Sequence, residues 1–343
     1  MGLSLPIIAV VTRETRLQGL KARWATSRAA TFRLKAAVGH EVERRRQQVM
    51  ARKGRAASVA ESYLLEADAA ALAGGGDIED EDAVYQRTVD ELLSALELGY
   101  PVKRIDRTFL PNFDFGRCVM VVVIGPDGLV ANTAKYVGDL PIIGVNPDPK
   151  RNDGVLLPFR VDQTRSAVRR VLDKRAQYNE VTLAQVTTND GQRMLAFNDF
   201  FIGASSHVSA RYTIEVAGQR EAQSSSGVLV STGAGSTGWL SSMFNMTAGF
   251  CQFTGGDAPA PLTLPWSDRR LVWAVREPFR SKHSSAQVVA GILDDQQELV
   301  LGSQMPTQGV IFSDGVESDF LEFNSGSIAR IAASAQQARL VVG

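Results

Sequence analysis

Four short stretches of this sequence carry side chains and glycines whose spacing could do chemistry. Gly125-Pro126-Asp127-Gly128 follows six consecutive apolar residues, Val119–Ile124. A buried strand ending in such a turn puts backbone N–H groups and one carboxylate, Asp127, at the carboxyl edge of a sheet, where open α/β folds bind ligands. Taken alone, Pro-Asp-Gly is also an ordinary surface turn. Asn198-Asp199, set between apolar residues in Phe197–Gly203, can hydrogen-bond ribose hydroxyls or a base edge, or can form a turn. The richest stretch is Thr232-Gly233-Ala234-Gly235-Ser236-Thr237-Gly238-Trp239, preceded by the apolar Val228-Leu229-Val230. Small hydroxyl residues and glycines there let a backbone approach a nucleotide and offer N–H and O–H donors. An apolar strand on one side and Trp239 on the other argue for a ligand loop over a linker. Phe312-Ser313-Asp314-Gly315 is by itself only a turn. None of these matches the P-loop or a strict Gly-x-Gly-x-x-Gly fingerprint.

The elements that must position these residues fall into two halves. Ile7–Val11, Val102–Ile105, Val119–Ile124 and Leu140–Val145 read as strands, separated by helical patterns at Leu17–Ala25, Val84–Leu98 and after Leu129. That alternation predicts a parallel sheet with crossover helices. Arg13 and Arg16, just after the first strand, are either solvated or placed to meet phosphate. Ala36–Ala73 reads as helix, Gly74–Asp82 as a flexible acidic break, and Val161–Ala176 as the last helix of this half, with Asp162 as a possible cap. From Val181 the hydrophobic period becomes two. Hairpin signals at Thr188-Asn189-Asp190-Gly191 and Ala217-Gly218-Gln219 join short strands that continue to Ile331, with a weaker helical pattern at Gly238–Ala248. The fold expected is α/β plus β-rich: residues 1–177 form a parallel-sheet domain and residues 178–343 a β-rich, sandwich-like domain.

Composition narrows the function classes. Lys+Arg and Asp+Glu balance at 37 each, so no global field favours nucleic acid or a membrane surface. Two cysteines and three histidines, none paired at metal-ligand spacing, argue against a structural zinc site and for a reducing compartment. No apolar run is long enough to span a bilayer. The apolar N-terminus lacks a basic region and reads as a first strand, so the expectation is a cytoplasmic protein.

In order along the chain, Gly-x-Asp-Gly, Gly144-Val145-Asn146-Pro147-Asp148-Pro149, Asn198-Asp199, the Ser-Thr-Gly-Ala-Gly-Ser-Thr-Gly-Trp loop and Ser313-Asp314-Gly315 resemble the NAD kinase family. The likeness runs from about Ile7 to Ile331. The Asn146 stretch, Phe201-Ile202-Gly203 and Arg276-Glu277-Pro278 look closest to its mitochondrial-type branch. The resemblance implies a Rossmann-like N-terminal domain, a C-terminal β-rich domain, and a homodimer or larger assembly. It implies transfer of the γ-phosphoryl of ATP, as its Mg²⁺ complex, to the 2′-hydroxyl of NAD or NADH to give NADP(H). By the same likeness Asp127 is the base or orienter of that hydroxyl. Gly125, Gly128, Asn146, Asn198, Asp199, Thr232, Gly235, Ser236 and Thr237 bind the nucleotide, with Asn198 and Asp199 on the acceptor and the Gly235–Thr237 segment on its adenosine.

This chain departs from the family pattern at four places. Pro126 stands for a glycine and removes one N–H from the turn. Leu129 stands for a threonine, Asp199 for a glutamate, and Ala234 for a threonine. A shifted phosphate donor (ATP or polyphosphate), a nucleotide-binding regulator without turnover, and a kinase of a lipid or sugar hydroxyl therefore stand beside the NAD kinase reading.

Overall fold

A computed structural model describes residues 5–24 and 75–343. The expected helix over Ala36–Ala73 lies outside the described residues. In chain order the elements of the first half are β1 (Ile7–Thr12), α1 (Arg16–Trp24), α2 (Gly75–Ala95), β2 (Val102–Asp106), β3 (Cys118–Ile124), α3 (Asp127–Ala134), β4 (Pro141–Val145) and α4 (Val161–Leu172). Those of the second half are β5 (Tyr178–Thr188), β6 (Arg193–Ala196), β7 (Asp199–Ala204), β8 (Ala210–Val216), β9 (Gln219–Ser225) and β10 (Val228–Ser231), followed by α5 (Trp239–Thr254). Then come β11 (Leu271–Val275), β12 (Ala290–Leu293), β13 (Leu299–Ser303), β14 (Gly309–Ser313), β15 (Phe320–Glu322) and β16 (Ile328–Val341).

β-branched runs make the parallel core. β2, β1, β3 and β4 lie side by side, all parallel, and residues 120–124 of β3 are completely buried. Strands such as β1 and β3 must be covered on both faces, and their sequences fit that with Val, Ile, Ala and Met over residues 7–11 and 119–124. Tyr85, Val89 and Leu92 of α2 and Leu96 just after it, with Ala167, Val168 and Val171 of α4, cover one face. Leu129, Val130, Ala131 and Ala134 of α3 belong to the cluster on the other.

The same sheet continues into the second half. β16 pairs in parallel with β4 through Arg339 and Leu340, antiparallel with β13 through Ile328–Ile331, and along most of its length with β5. The full order is β2-β1-β3-β4-β16-β13-β8-β9, with β5 and β6 attached through β16. A separate six-stranded sheet, β12-β11-β10-β7-β14-β15, is antiparallel throughout. A core containing Tyr212, Phe200, Trp273, Leu301 and Phe323 joins the inner faces of the two layers. The architecture is thus a helix-covered α/β layer and a β-sandwich built partly on the same sheet. Among the described residues no helix is long and apolar enough to cross a membrane.

Three local expectations need correction. Residues 75–82 open α2 instead of forming a flexible break, because Glu81 is ion-paired to Arg13 and Arg16, and Asp82 accepts from Thr15 Oγ1 at 2.5 Å. α4 stops at Leu172, four residues short of Ala176, and begins after Arg160, so Asp162 is its second residue and not its cap. β16 runs ten residues past Ile331. Its Ala-Gln-rich second half has low strand propensity, and the pairing with β5 and β4 overrides it.

Candidate functional site

The outer face of the six-stranded sheet brings the C-terminal motifs together. Along β7 the side chains alternate, so Phe200 and Ile202 enter the sandwich core while Asp199, Phe201 and Gly203 face the other way. β14 pairs Phe312 with Phe201 and Val310 with Gly203, and the Asp314 N–H donates to the Asp199 carbonyl at 3.0 Å. Phe201 lies between Trp239, at 5.8 Å and 9° between planes, and Phe312, at 4.9 Å and 30°. The Arg276 guanidinium sits 5.0 Å from the Trp239 ring and 5.7 Å from that of Phe201. Gly203 and Gly227 leave room for this ring, since a Cβ on either would come within 2.7 Å of Phe201. An open basin of about 1060 Å³ spreads over this aromatic strip, with Phe201, Trp239, Arg276 and Phe312 in its wall.

Asp314 ties the head of the strip together. It takes a left-handed backbone (φ 54°), and its carboxylate accepts the amide N–H groups of Phe197 (3.1 Å), Asn198 (2.6 Å) and Asp199 (3.4 Å). Lys135, immediately after α3, approaches it at 3.6 Å and donates to Ser313 Oγ at 2.8 Å. Burial pushes the Asp314 carboxyl up, and Lys135 and the three amides pull it back; burial likewise pushes the Lys135 ammonium down. The loop after β10 closes on the same backbone. Thr232 Oγ1 donates to the Phe197 carbonyl at 2.6 Å, Thr232 N–H donates to that of Asn198, and a Cβ on Gly235 would lie 2.1 Å from the Asn198 oxygen. Gly235 is therefore glycine because the loop lies directly on β7.

Asp199 differs from its neighbours. It is only 7% exposed, and its carboxylate makes no hydrogen bond among the described residues. Burial first, and the nearby Asp314 charge second, raise it to about 7. Asn132, on α3 one turn before Lys135, is also buried with its Oδ1 unpartnered.

The N-terminal motifs gather at the other end of α3. Asp127 is the first residue of that helix, and its carboxylate accepts Leu156 N–H at 2.6 Å and Gly154 N–H at 3.2 Å. Asn146, buried, accepts from Asp148 N–H and donates to the Asn152 carbonyl. Together they hold the 146–156 loop over the turn. Gly125 is buried, packed so that a Cβ would meet Leu129 at 2.7 Å, while Gly128 is exposed. α3 spans about 12 Å at 1.5 Å per residue. It links the two groups, and Leu129, Phe197 and Ala234 share one apolar cluster.

The structure thus gathers Asn198, Asp199, Thr232, Gly235 and Ser236 into one knot and Gly125, Asp127, Gly128 and Asn146 into another. The Thr232 and Ser236 hydroxyls are spent internally, Thr232 on the Phe197 carbonyl and Ser236 on that of Gly233 at 2.7 Å, whereas Thr237 is exposed. Lys135, Asn132, Phe201, Phe312 and Arg276 were not singled out from sequence as site residues. A lone lysine in an otherwise apolar helical segment was the only advance signal for Lys135.

The chain matches no known protein-family model, and no curated protein is significantly similar to it. Its chemistry rests on the geometry itself. Among the described residues no group of three or more His, Cys, Asp and Glu could hold a metal ion. Mg²⁺ carried on substrate phosphates needs only one or two protein carboxylates, fewer than such a group.

Proposed function

We propose that the protein is a NAD kinase-like phosphotransferase, which moves the γ-phosphoryl of MgATP to a ribose hydroxyl of NAD or NADH. The observation that carries this reading is the buried, unpartnered Asp199 carboxylate at the head of an aromatic strip. A planar base stacked against the Trp239–Phe201 wall extends its ribose along the strand direction toward Asp199. Two residues along a strand cover about 6.6 Å, close to the span from base to ribose hydroxyl. A carboxylate raised to about 7 is matched to accept a proton at neutral pH. In the reaction the hydroxyl oxygen attacks the γ-phosphorus and its proton passes to Asp199. The bond between the γ-phosphorus and the β,γ-bridging oxygen breaks, and ADP leaves with the electron pair. Asp314 and Lys135 keep Asp199 in place, and Asn198 orients the acceptor. Mg²⁺ neutralises charge on the donor phosphates, as phosphoryl transfer requires.

In this reading Asp127 holds the 146–156 loop, because its two carboxylate oxygens are already taken up by the Gly154 and Leu156 N–H groups. The resemblance to NAD kinases would instead make Asp127 the base. Incubation with MgATP and NAD or NADH, followed by separation of products, tests the activity. Asp199→Asn and Asp127→Asn then tell the two carboxylates apart. NADP(H) formation that survives Asp199→Asn but not Asp127→Asn would assign the base to Asp127, and no product from the parent would remove the phosphotransferase reading. In that last case the internal use of the Thr232, Ser236 and Asp127 groups favours a nucleotide-binding regulator. The resemblance also carries the expectation of a homodimer or larger assembly, checked by light scattering, and the composition that of a cytoplasmic setting in which Cys118 and Cys251 stay free thiols.

A further inference from the structure

Helix α5 is held to the body by its first turns. Leu240 is buried among Leu229, Leu264 and Val272, and Trp239, Met243 and Phe244 pack against the same cluster. From Asn245 to Thr254 no side chain is buried among the described residues, and Met246, Phe250 and Phe253 are 45%, 64% and 87% exposed. They are not scattered. With Met243 they recur at intervals of three, four and three residues, the a and d positions of a heptad. The stripe lies about a third of a turn round the helix from Leu240 and Phe244, which face the sheet. A ten-residue helical segment containing Asn, Thr and Gly is marginal in water by itself, and packing of an apolar face is what normally sustains one.

The flanks of the stripe suit a second helix. Its e and g positions are Ser242, Thr247, Gly249 and Thr254, all small, so two helix axes can approach closely. Thr247 Oγ1 already donates to the Met243 carbonyl at 2.9 Å, and Thr254 Oγ1 to that of Phe250 at 3.0 Å, so neither hydroxyl loses a partner when covered. No residue from Ala222 to Gly256 is charged. A helix lying on a bilayer carries basic residues on its polar face; here that face has Asn245 and Gln252. An uncharged stripe can meet its own copy without like-charge repulsion. The stripe is also self-complementary. In an antiparallel pair centred at residue 248, Met246 lies opposite Phe250 of the partner subunit, and Met243 opposite Phe253 of the partner subunit. Each level then joins a thioether to an aromatic ring, a favourable contact.

We propose that α5 pairs antiparallel with α5 of a second copy of this chain through the Met243-Met246-Phe250-Phe253 stripe, forming a two-fold dimer. The pairing does not rest on the phosphotransferase reading. The likeness to NAD kinases implies an assembly, but none of the motifs that carry it lies in residues 240–254. At about 200 Å² for a whole ring side chain, the exposed fractions of Phe250 and Phe253 give about 300 Å² per copy. A stable interface takes about 800 Å² per partner, so even with the methionines and flanks added the dimer is a reversible one.

Sedimentation equilibrium of the full chain tests the pairing. The parent should show a reversible monomer–dimer equilibrium with a dissociation constant of about 1–100 μM. Met246→Glu and Phe250→Lys each set like charges beside the two-fold axis, and each should weaken association at least tenfold. Both positions are solvent-exposed in the single chain, so circular dichroism and the thermal midpoint of the dilute protein should stay as in the parent. Mixed one to one, the two variants should associate again, because the new carboxylate of one chain faces the new ammonium of the other. Recovery in the mixture alone supports the antiparallel register. Weakened variants that do not recover when mixed overturn that register. A dimer that both variants leave intact lies on another surface and overturns the proposal. A parent still monomeric at about 300 μM, well above the expected constant, assigns the stripe to a different occupant and overturns it too.

Discussion

Asp199→Asn should make the protein more stable at alkaline pH and leave it nearly unchanged in acid. The carboxyl titrates from 3.8 as a free group and near 7 in the fold, so the folded state holds its proton more tightly than the unfolded chain. The stability this gives is fully present below pH 3.8 and is lost as pH rises through 7. At 1.36 kcal/mol per unit, the interval corresponds to about 4 kcal/mol lost between pH 3 and pH 8. Most of it disappears between pH 4 and 7. Asparagine keeps the shape, does not titrate, and also relieves the repulsion that Asp199 exerts on Asp314. Urea unfolding of parent and variant at pH 4, 6 and 8 reads the difference directly. The variant should gain about 2–4 kcal/mol on the parent between pH 4 and 8, the lower figure allowing for local relaxation. Turnover should move in the opposite sense. The parent rate should rise tenfold per unit below pH 7 and level off above it, and the variant should fall 10²–10⁴-fold. Stability curves that stay parallel within 0.5 kcal/mol would show that Asp199 is solvated and ionised throughout, and the general-base argument would fall with it.

Three further outcomes follow from the same geometry. Asp314→Ala strands three backbone N–H groups and Lys135, and should destabilise the fold by about 3–5 kcal/mol in denaturant unfolding, whereas loss of under 1 kcal/mol would demote the knot to a surface turn. Gly235→Ala pushes a methyl into the Asn198 carbonyl and should cost about 1–3 kcal/mol of stability and raise the KM for the nucleotide, since loop and strand must separate. Trp239→Ala exposes one face of Phe201 and should weaken NAD binding about tenfold in calorimetry, with kcat at saturation changed little; equal affinity would move the base out of the aromatic basin.

Much of the scaffold could be read from residue order because its causes are local. Val119–Ile124 had no polar position to expose, so a strand buried on both faces was the consistent solution, and Gly191 and Gly218 occupy the left-handed turns that their hairpins need. Gly74–Asp82 misled because acidic residues next to glycines look solvated, and the partners Arg13, Thr15 and Arg16 that hold a helix there lie more than sixty residues earlier. The site was legible as a set of motifs but not as a division of labour. Whether Asp127 or Asp199 has spare acceptor capacity depends on where the amides of Gly154, Leu156 and β7 come to rest, and no spacing encodes that. Asp314 is the clearest case. As a residue in a Ser-Asp-Gly turn it was unremarkable, and its importance comes from the register that sets β14 beside β7.

β16 gives the molecule a history as well as a shape. β4 is complete at Val145, but the strand that covers its edge begins to pair with it only near residue 339. During synthesis the four parallel strands therefore stand with one flank of unpaired N–H and C=O groups until almost two hundred further residues have been added. Phe159 covers the Val145 end, but an open edge at Ile142 and Ile143 is the kind of surface that recruits another nascent chain. A split of the molecule between α4 and β5, convenient by sequence, would make that transient exposure permanent in the N-terminal fragment.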